Sequence, residues 1–154
     1  MRFSAMVAGA ALLVAACGGS KTGGSADTNK PAASAPSAAP TGTGASHEVQ
    51  MVQESATSFK FVPDNITIKA GDVIVFKGVS GTAHNVAFDK DSIPAGAAAV
   101  LDAQMKDGPQ ALSTAMIADG SSTTISFAGA PTGSYKIFCI PHLPMGMKMT
   151  VTVQ

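Results

Sequence analysis

The stretch at residues 133–153, GSYKIFCIPHLPMGMKMTVTV, decides the fold of this chain. In its second half, apolar residues occupy every second position over 147–153, a pattern typical of a β-strand with one buried face. β-Branched and aromatic residues over 133–139 predict another strand. Two prolines and a glycine lie between these segments and interrupt the regular backbone. The stretch therefore predicts two strands joined by a tight loop.

Further short strands are predicted throughout the rest of residues 47–154. Short runs of β-branched and aromatic residues are separated by Gly, Pro, Asp and Asn. So many short strands favour an all-β, antiparallel sandwich, because each strand needs a second sheet to cover its apolar face. Residues 70–72 are expected to form the turn between two paired strands. The six further predicted strands are 48–53, 58–62, 65–69, 72–78, 83–88 and 121–127.

One segment departs from the β pattern. Residues 94–104 are rich in alanine, the residue with the highest helix propensity. We expect a short helix or a helical loop here, lying across one end of the sandwich. Residues 111–118 fit either a strand or a loop.

The overall composition limits the classes of function. The chain has 154 residues, 45% of them apolar, and a mean hydropathy of +0.25, which suits one packed domain and leaves little room for a second. Ten basic and ten acidic residues give a net charge of zero. Such a balance gives no electrostatic reason to expect nucleic-acid binding.

The N-terminal residues predict export. Residues 1–16 combine a positive end with a short run of small and apolar residues, which fits a signal peptide and is too short to span a bilayer. The sequence LVAAC at 13–17 resembles a bacterial lipobox, in which Cys17 becomes the lipidated N-terminus. The alternative is an ordinary signal peptide with an incidental cysteine. In either case we expect an exported protein, and the lipobox adds a membrane anchor at the periplasmic or cell-surface side.

A predicted flexible tether, residues 17–46, follows. From Gly18 onward it consists mostly of Gly, Ala, Ser, Thr and Pro and contains no Val, Ile, Leu or aromatic residue. Such a segment cannot bury enough apolar area to offset the entropy of ordering. As a random coil it would span on the order of 30 Å. This reach would let a folded, monomeric domain over 47–154 meet partners near its anchor.

The chemistry of the chain is concentrated in the tight loop. Cys139 is followed three residues later by His142, and Met147 comes five residues after that. With His84 from upstream, a thiolate, two imidazoles and a weak thioether form the ligand set that selects copper for one-electron transfer. A structural zinc site would prefer a fourth strong ligand. An exported thiol without a disulfide partner is also unusual unless a metal protects it.

Three segments then show a family resemblance, namely 66–76 (ITIKAGDVIVF), 81–86 (GTAHNV) and 135–142 (YKIFCIPH). From about Phe59 onward the chain resembles the plastocyanin and pseudoazurin branch of the cupredoxins, the small blue copper proteins. The resemblance implies a Greek-key β-sandwich that holds one type 1 copper ion. It also implies that His84, Cys139 and His142 are equatorial ligands and that Met147 is the long axial ligand.

The resemblance guides several further assignments. Met145 is the competing axial ligand, and the Met-Gly-Met pattern, which is similar to pseudoazurin, favours Met147. Asn85 is expected to donate a backbone N–H to the thiolate and to link the two ligand loops through its side chain. His47 precedes the part of the chain that the resemblance covers, and its position at the end of the tether predicts a solvated residue. Electrons are expected to leave through an apolar patch around the edge of His142, and the alternative is that the same residues simply pack the loops. These residues are Leu143, Pro144 and Met145, with Gly81 and Ala83 from the other loop.

The same residues argue against an enzyme. Multicopper oxidases and nitrite reductases need additional histidines for a second copper site, often beside the thiolate, whereas Cys139 is flanked by Phe138 and Ile140 and the chain has three histidines. A Cys-His nucleophile would need an orienting third residue and an oxyanion loop, and neither is evident. The sequence therefore predicts a membrane-tethered electron carrier between a redox donor and a redox acceptor. The alternative is a copper carrier that uses the same site.

Overall fold

A computed structural model of the chain describes residues 43–154. The predicted signal peptide, Cys17 and the tether up to residue 42 lie outside the described residues. Within 43–154, no helix is long and apolar enough to cross a membrane. The strands are β1 (Ser46–Ser55), β2 (Ser58–Val62), β3 (Asn65–Ile68), β4 (Val73–Gly78), β5 (Ala87–Phe88), β6 (Ser122–Ser126), β7 (Gly133–Phe138) and β8 (Lys148–Val153), with one helix, α1 (Ala97–Asp102), and 3₁₀ turns at Lys90–Ser92 and Leu143–Met145.

The strands form two four-stranded sheets, with the orders β2-β1-β4-β6 and β3-β8-β7-β5. This arrangement confirms the predicted all-β, Greek-key sandwich. The expectation of purely antiparallel pairing was wrong, because β1 runs parallel to β4 and β3 runs parallel to β8. The chain crosses from one sheet to the other between β3 and β4. Residues 70–72 therefore form a corner between the sheets and do not connect paired strands.

The core lies between the two sheets. Alternate residues of β8 point inward, so Met149, Val151 and Val153 are buried, as the period of two predicted. Edge-to-face contacts join the rings of Phe88, Phe127 and Tyr135. These packed side chains make the sandwich a stiff support for the loops at its ends.

The corner at residues 70–72 is fixed by a buried carboxylate. Gly71 has φ +96°, a conformation that favours glycine, and Asp72 follows it with 5% of its surface exposed. Asp72 accepts hydrogen bonds from the backbone N–H groups of Ala45 (2.8 Å) and Lys69 (2.9 Å) and from His47 Nε2 (2.8 Å). The prediction that His47 is simply solvated was wrong. Its pairing with Asp72 ties the start of β1 to the corner.

This arrangement predicts an acid-sensitive stability. The backbone N–H of Lys69 and the side chain of His47 hold the pKa of the Asp72 carboxyl below its usual value. The resulting stabilisation is fully present above the unfolded carboxyl pKa of about 3.9 and is lost as the pH falls through the lower folded pKa. Asp72→Asn should lower the melting temperature at pH 7 and narrow its difference between pH 7 and pH 3, measured by circular dichroism. The exposed control Asp119→Asn should keep the wild-type dependence of melting temperature on pH. The same difference in melting temperature between pH 7 and pH 3 in wild type and in Asp72→Asn would contradict the role of Asp72.

The connection between β5 and β6 is partly helical and partly extended. Helix α1 is shorter than the predicted segment 94–104, and the Gln104 side chain pairs with both the N–H and the carbonyl of Ser126 on the edge strand β6. Residues 113–117 lie beside 84–88 and form isolated bridges rather than a regular strand. Because this pairing is irregular, the predicted strand 83–88 is reduced to β5. The extended segment supports the chain around His84.

Candidate metal centre

Three buried side chains from distant parts of the sequence meet at one end of the sandwich. The ligand atoms of His84, Cys139 and His142 all lie within 4.8 Å of one another. Cys139 Sγ is 3.3 Å from His142 Nδ1 and 4.0 Å from His84 Nδ1, and the two Nδ1 atoms are 3.1 Å apart. The predicted convergence of the upstream histidine with the C-terminal loop is confirmed.

The C-terminal ligand loop closes on itself. Cys139 follows the end of β7, and its N–H donates to the carbonyl of Met147 (3.1 Å). The carbonyl of His142 accepts from Met145 and Met147, and Gly146 ends the 3₁₀ turn with φ +85°. Glycine adopts this left-handed conformation without the steric cost of a Cβ. The loop therefore holds Cys139, His142 and Met147 in a defined arrangement.

His84 is held by backbone contacts. Its N–H donates to the carbonyl of Ile117 (2.9 Å), and its own carbonyl accepts from the Ile117 N–H. On the ring, Nε2 lies 3.2 Å from the carbonyl oxygen of Ser80. A carbonyl only accepts, so Nε2 carries the proton and Nδ1 presents its lone pair toward Cys139.

His142 is held by side chains. Its Nε2 lies 3.1 Å from the Thr82 hydroxyl oxygen. The ring of Phe59 stacks on the imidazole with centroids 3.9 Å apart and planes 6° from parallel. With 6% of its surface exposed, His142 is nevertheless close to the surface, since Pro141 and Leu143 on either side are exposed.

The donor set fits a copper ion. With both imidazole protons on outward nitrogens, two lone pairs and a sulfur converge at 3.1–4.0 Å, an arrangement that a central cation would stabilise. Metal–nitrogen and metal–sulfur bonds of about 2.0–2.3 Å produce spacings of this size. Two imidazoles, one thiolate and a weak thioether form the set typical of blue copper sites.

Burial sets the protonation preferences of the ligands without a metal. It raises the pKa of the Cys139 thiol, and the Asn85 N–H opposes this effect. It also lowers the pKa of His142, with a smaller contribution from His84. The neutral imidazole is the form that binds metals, and a bound cation deprotonates a coordinating thiol. The site is therefore suited to a cation.

Asn85 connects the two ligand loops as expected. Its backbone N–H points at Cys139 Sγ at 3.4 Å, and its Oδ1 accepts from the Ile140 N–H at 2.8 Å. The Nδ2 atom is buried and has no hydrogen-bond partner among residues 43–154. The N–H to sulfur contact favours the thiolate, and the side-chain bond keeps the loops in register.

The two candidate axial methionines differ sharply in burial. Met147 is 0% exposed and sits directly before β8, whereas Met145 is 42% exposed on the 3₁₀ turn. Burial supports Met147 rather than Met145 as the member of the copper site that accompanies His84, Cys139 and His142. The choice of Met147 as the axial ligand stays a prediction.

The axial assignment can be tested by a matched pair of variants. Met147→Ala should leave copper bound by the three strong ligands while shifting the visible spectrum and the reduction potential, because the axial thioether tunes the potential. Met145→Ala should change neither property appreciably. Optical spectra and voltammetry of both variants measure these effects. A shift confined to Met145→Ala would reverse the assignment.

Sequence reasoning missed the residues that hold the ligands. Phe59, Ser80, Thr82 and Ile117 all contact a ligand histidine. The alternation in β2 does indicate that Phe59 points inward. No local pattern indicates that its ring meets an imidazole more than eighty residues later in the chain.

A β-sandwich that holds two imidazoles, a thiolate and a thioether at one end defines the class of small type 1 copper proteins. Residues 47–154 match the family of copper binding proteins described as the plastocyanin/azurin family. The plastocyanin of Ulva prolifera is 39% identical over 97 residues, which make up 63% of this chain and 89% of that protein.

Solved structures agree with the sequence matches. The oxidized plastocyanin of Dryopteris crassirhizoma is 33% identical with a TM-score of 0.52, and the match covers 70% of this chain and 99% of that one. The pseudoazurin of Methylobacterium extorquens is 27% identical with a TM-score of 0.52, over 70% of this chain and 74% of that one. The chain belongs to the plastocyanin/azurin family. It is a blue copper electron carrier of the plastocyanin type, and not an enzyme.

Proposed function

We propose that this protein is an exported shuttle that carries single electrons between a redox donor and a redox acceptor while tethered to a membrane through Cys17. The observation that supports the shuttle best is the rigid support of its ligands. His84, Cys139 and His142 are each held by a contact from another residue of the chain, namely Ser80, Asn85 and Phe59 respectively.

Rigid ligands suit electron transfer because any change of geometry between redox states adds to the reorganisation barrier. Copper, when bound, supplies the one-electron couple. The chain contributes fixed donor atoms, a buried environment and short loops anchored on the sandwich.

The surface near His142 suits contact with partner proteins. Leu143 is 46% exposed and Met145 is 42% exposed, both on the turn that follows this ligand. Contiguous exposed apolar side chains are a feature of protein–protein interaction sites, and these two lie on one turn. We therefore propose that partners approach the His142 end of the molecule and receive or donate electrons there.

Repeated redox cycling distinguishes a shuttle from a copper carrier. The purified copper-loaded protein should undergo many cycles of chemical reduction and reoxidation with its absorption band restored and its copper content unchanged. A copper chelator of moderate affinity, added in the reduced state, should remove little metal. Rapid loss of copper to the chelator after each reduction would favour the carrier.

The tether is proposed from the sequence of residues 13–46 alone. Cys17→Ser removes the thiol that would carry the lipid and should move the protein from the membrane fraction to the soluble fraction of the exporting cell, because the lipid supplies the membrane affinity. Immunoblots of the two fractions measure this. Cys139→Ser is the matched control and should stay in the membrane fraction. A Cys17→Ser protein that remained membrane-bound would contradict lipid anchoring while leaving the redox role intact.

A further inference from the structure

We infer that Thr82 is a positioning residue of the copper site, whose hydroxyl accepts the outward N–H of His142 and thereby fixes which nitrogen of that imidazole faces the metal. The inference deepens the shuttle function proposed above and rests on it. It concerns a side chain that touches a ligand and not the metal itself.

The His142 ring has one nitrogen toward the metal position and the other toward Thr82. Its Nδ1 lies 3.3 Å from Cys139 Sγ and 3.1 Å from His84 Nδ1, so this nitrogen faces the metal position. The other nitrogen, Nε2, lies 3.1 Å from Thr82 Oγ1. A neutral imidazole with a free lone pair on Nδ1 has its proton on Nε2. The Thr82 hydroxyl is therefore the acceptor that stabilises the ligating tautomer.

The loop that carries Thr82 performs the same task for the other histidine. The carbonyl of Ser80 accepts from His84 Nε2 at 3.2 Å. Two positions of one loop, 80 and 82, thus take the outward N–H groups of both imidazoles. Because His84 depends on a main-chain carbonyl and His142 on a hydroxyl, only the second contact can be removed by changing a side chain.

The loop is itself attached to the sandwich. Ser80 Oγ accepts from the backbone N–H of Gln53 in β1 at 3.1 Å. Gly81 adopts φ +92°, and a Cβ at this position would lie 2.6 Å from Gln53 Oε1. The close packing of Gly81 on Gln53 restrains the residue next to it, Thr82. The hydroxyl is therefore presented to His142 by a restrained backbone rather than by a free loop.

The hydroxyl also lies at the outer end of the ligand. Thr82 is exposed while His142 is buried, so the hydrogen bond joins a surface residue to a buried ligand. The hydrogen bond should hold the ring in one orientation in the metal-free protein and in both redox states. Without this hydrogen bond, Nε2–H should donate to water instead. The two tautomers of His142 should then differ less in population.

The test uses Thr82→Val, which keeps the branched shape and removes the hydroxyl, and Thr82→Ser, which restores the hydroxyl. In metal-free protein labelled with ¹⁵N histidine, the three imidazoles are resolved by NMR at a pH at which they are neutral. His142 should carry its proton on Nε2 in the wild type and in Thr82→Ser. In Thr82→Val the preference should fall by roughly three- to tenfold, the equivalent of one hydrogen bond. The reduction potential of the copper-loaded Val variant should shift, and Ser should restore it.

Thr132→Val is the matched control, since Thr132 is exposed in the loop before β7. It should change neither the tautomer ratio nor the potential. An unchanged His142 tautomer ratio and an unchanged reduction potential in Thr82→Val would overturn the role of Thr82 and leave the proposed shuttle function standing. Failure of the wild type to cycle with its copper retained would instead remove the proposed function, whatever Thr82 does.

Discussion

Cys139→Ser should abolish the intense blue or green absorption that copper(II) produces in this protein. The band requires charge transfer from a thiolate to the metal, and Cys139 is the only cysteine among the described residues. Serine is nearly the same size, but its hydroxyl is a poor ligand for copper at neutral pH. The two histidines remain in place, so weak copper binding without strong colour is the expected result.

The comparison variant for this experiment is Cys17→Ser. It removes the other sulfhydryl of the chain and should leave the colour of the copper-loaded protein intact. Titration of both variants with copper(II), followed by absorption and electron paramagnetic resonance spectra, gives a direct readout. An intense visible band that survives in Cys139→Ser would refute this residue as the ligand.

Phe59→Ala should destabilise the domain and loosen the copper site together. Phe59 is 4% exposed, and truncating a buried phenylalanine costs about 3–5 kcal/mol, a large part of the stability of a small domain. The ring also stacks flat on His142. Aromatic contacts of this kind contribute about 0.5–1.5 kcal/mol beyond area burial, so copper should leave the variant roughly three- to tenfold faster.

Phe61 offers the matched control within the same strand. It is 1% exposed and packs edge-to-face on Phe76, with no ring contact to a ligand. Phe61→Ala should lose a similar amount of stability in denaturant unfolding while its copper dissociates at nearly the wild-type rate. Equal rates of copper loss from the two variants at equal stability would show that the stacking on His142 has no effect of its own.

The strands were predictable because their signal is local. The period-two alternation over 147–153 and the β-branched run over 72–78 each follow from the residues of one segment, and both lie in strands. Strand 83–88 was predicted by the same reasoning and is largely irregular. Its backbone partner is the segment 112–117, where Leu112 has φ +58° and a regular ladder does not form. That pairing depends on a distant segment.

The corner at residues 70–72 and the role of His47 also depended on contacts between distant segments, which local sequence patterns do not reveal. A glycine and an aspartate at 71–72 indicate a turn, but not whether the strands on either side pair with each other. Here β3 pairs with β8 and β4 pairs with β1 and β6, so the turn changes sheets. His47 looked like the end of a tether until Asp72 proved to lie beside it. Both outcomes follow from which segments meet in space.

By itself, the sequence determined the β-rich domain and the identities of the metal-binding side chains. The strands were predictable because hydrophobic periodicity depends only on residues close together in the sequence. The ligands were predictable because the affinity of a thiolate, an imidazole or a thioether for copper is a property of the side chain itself. Only the tertiary structure decided the distances among His84, Cys139 and His142 and the roles of Phe59 and Thr82. Those contacts join segments far apart along the chain, and they form because burying the sandwich core brings the loops to one end.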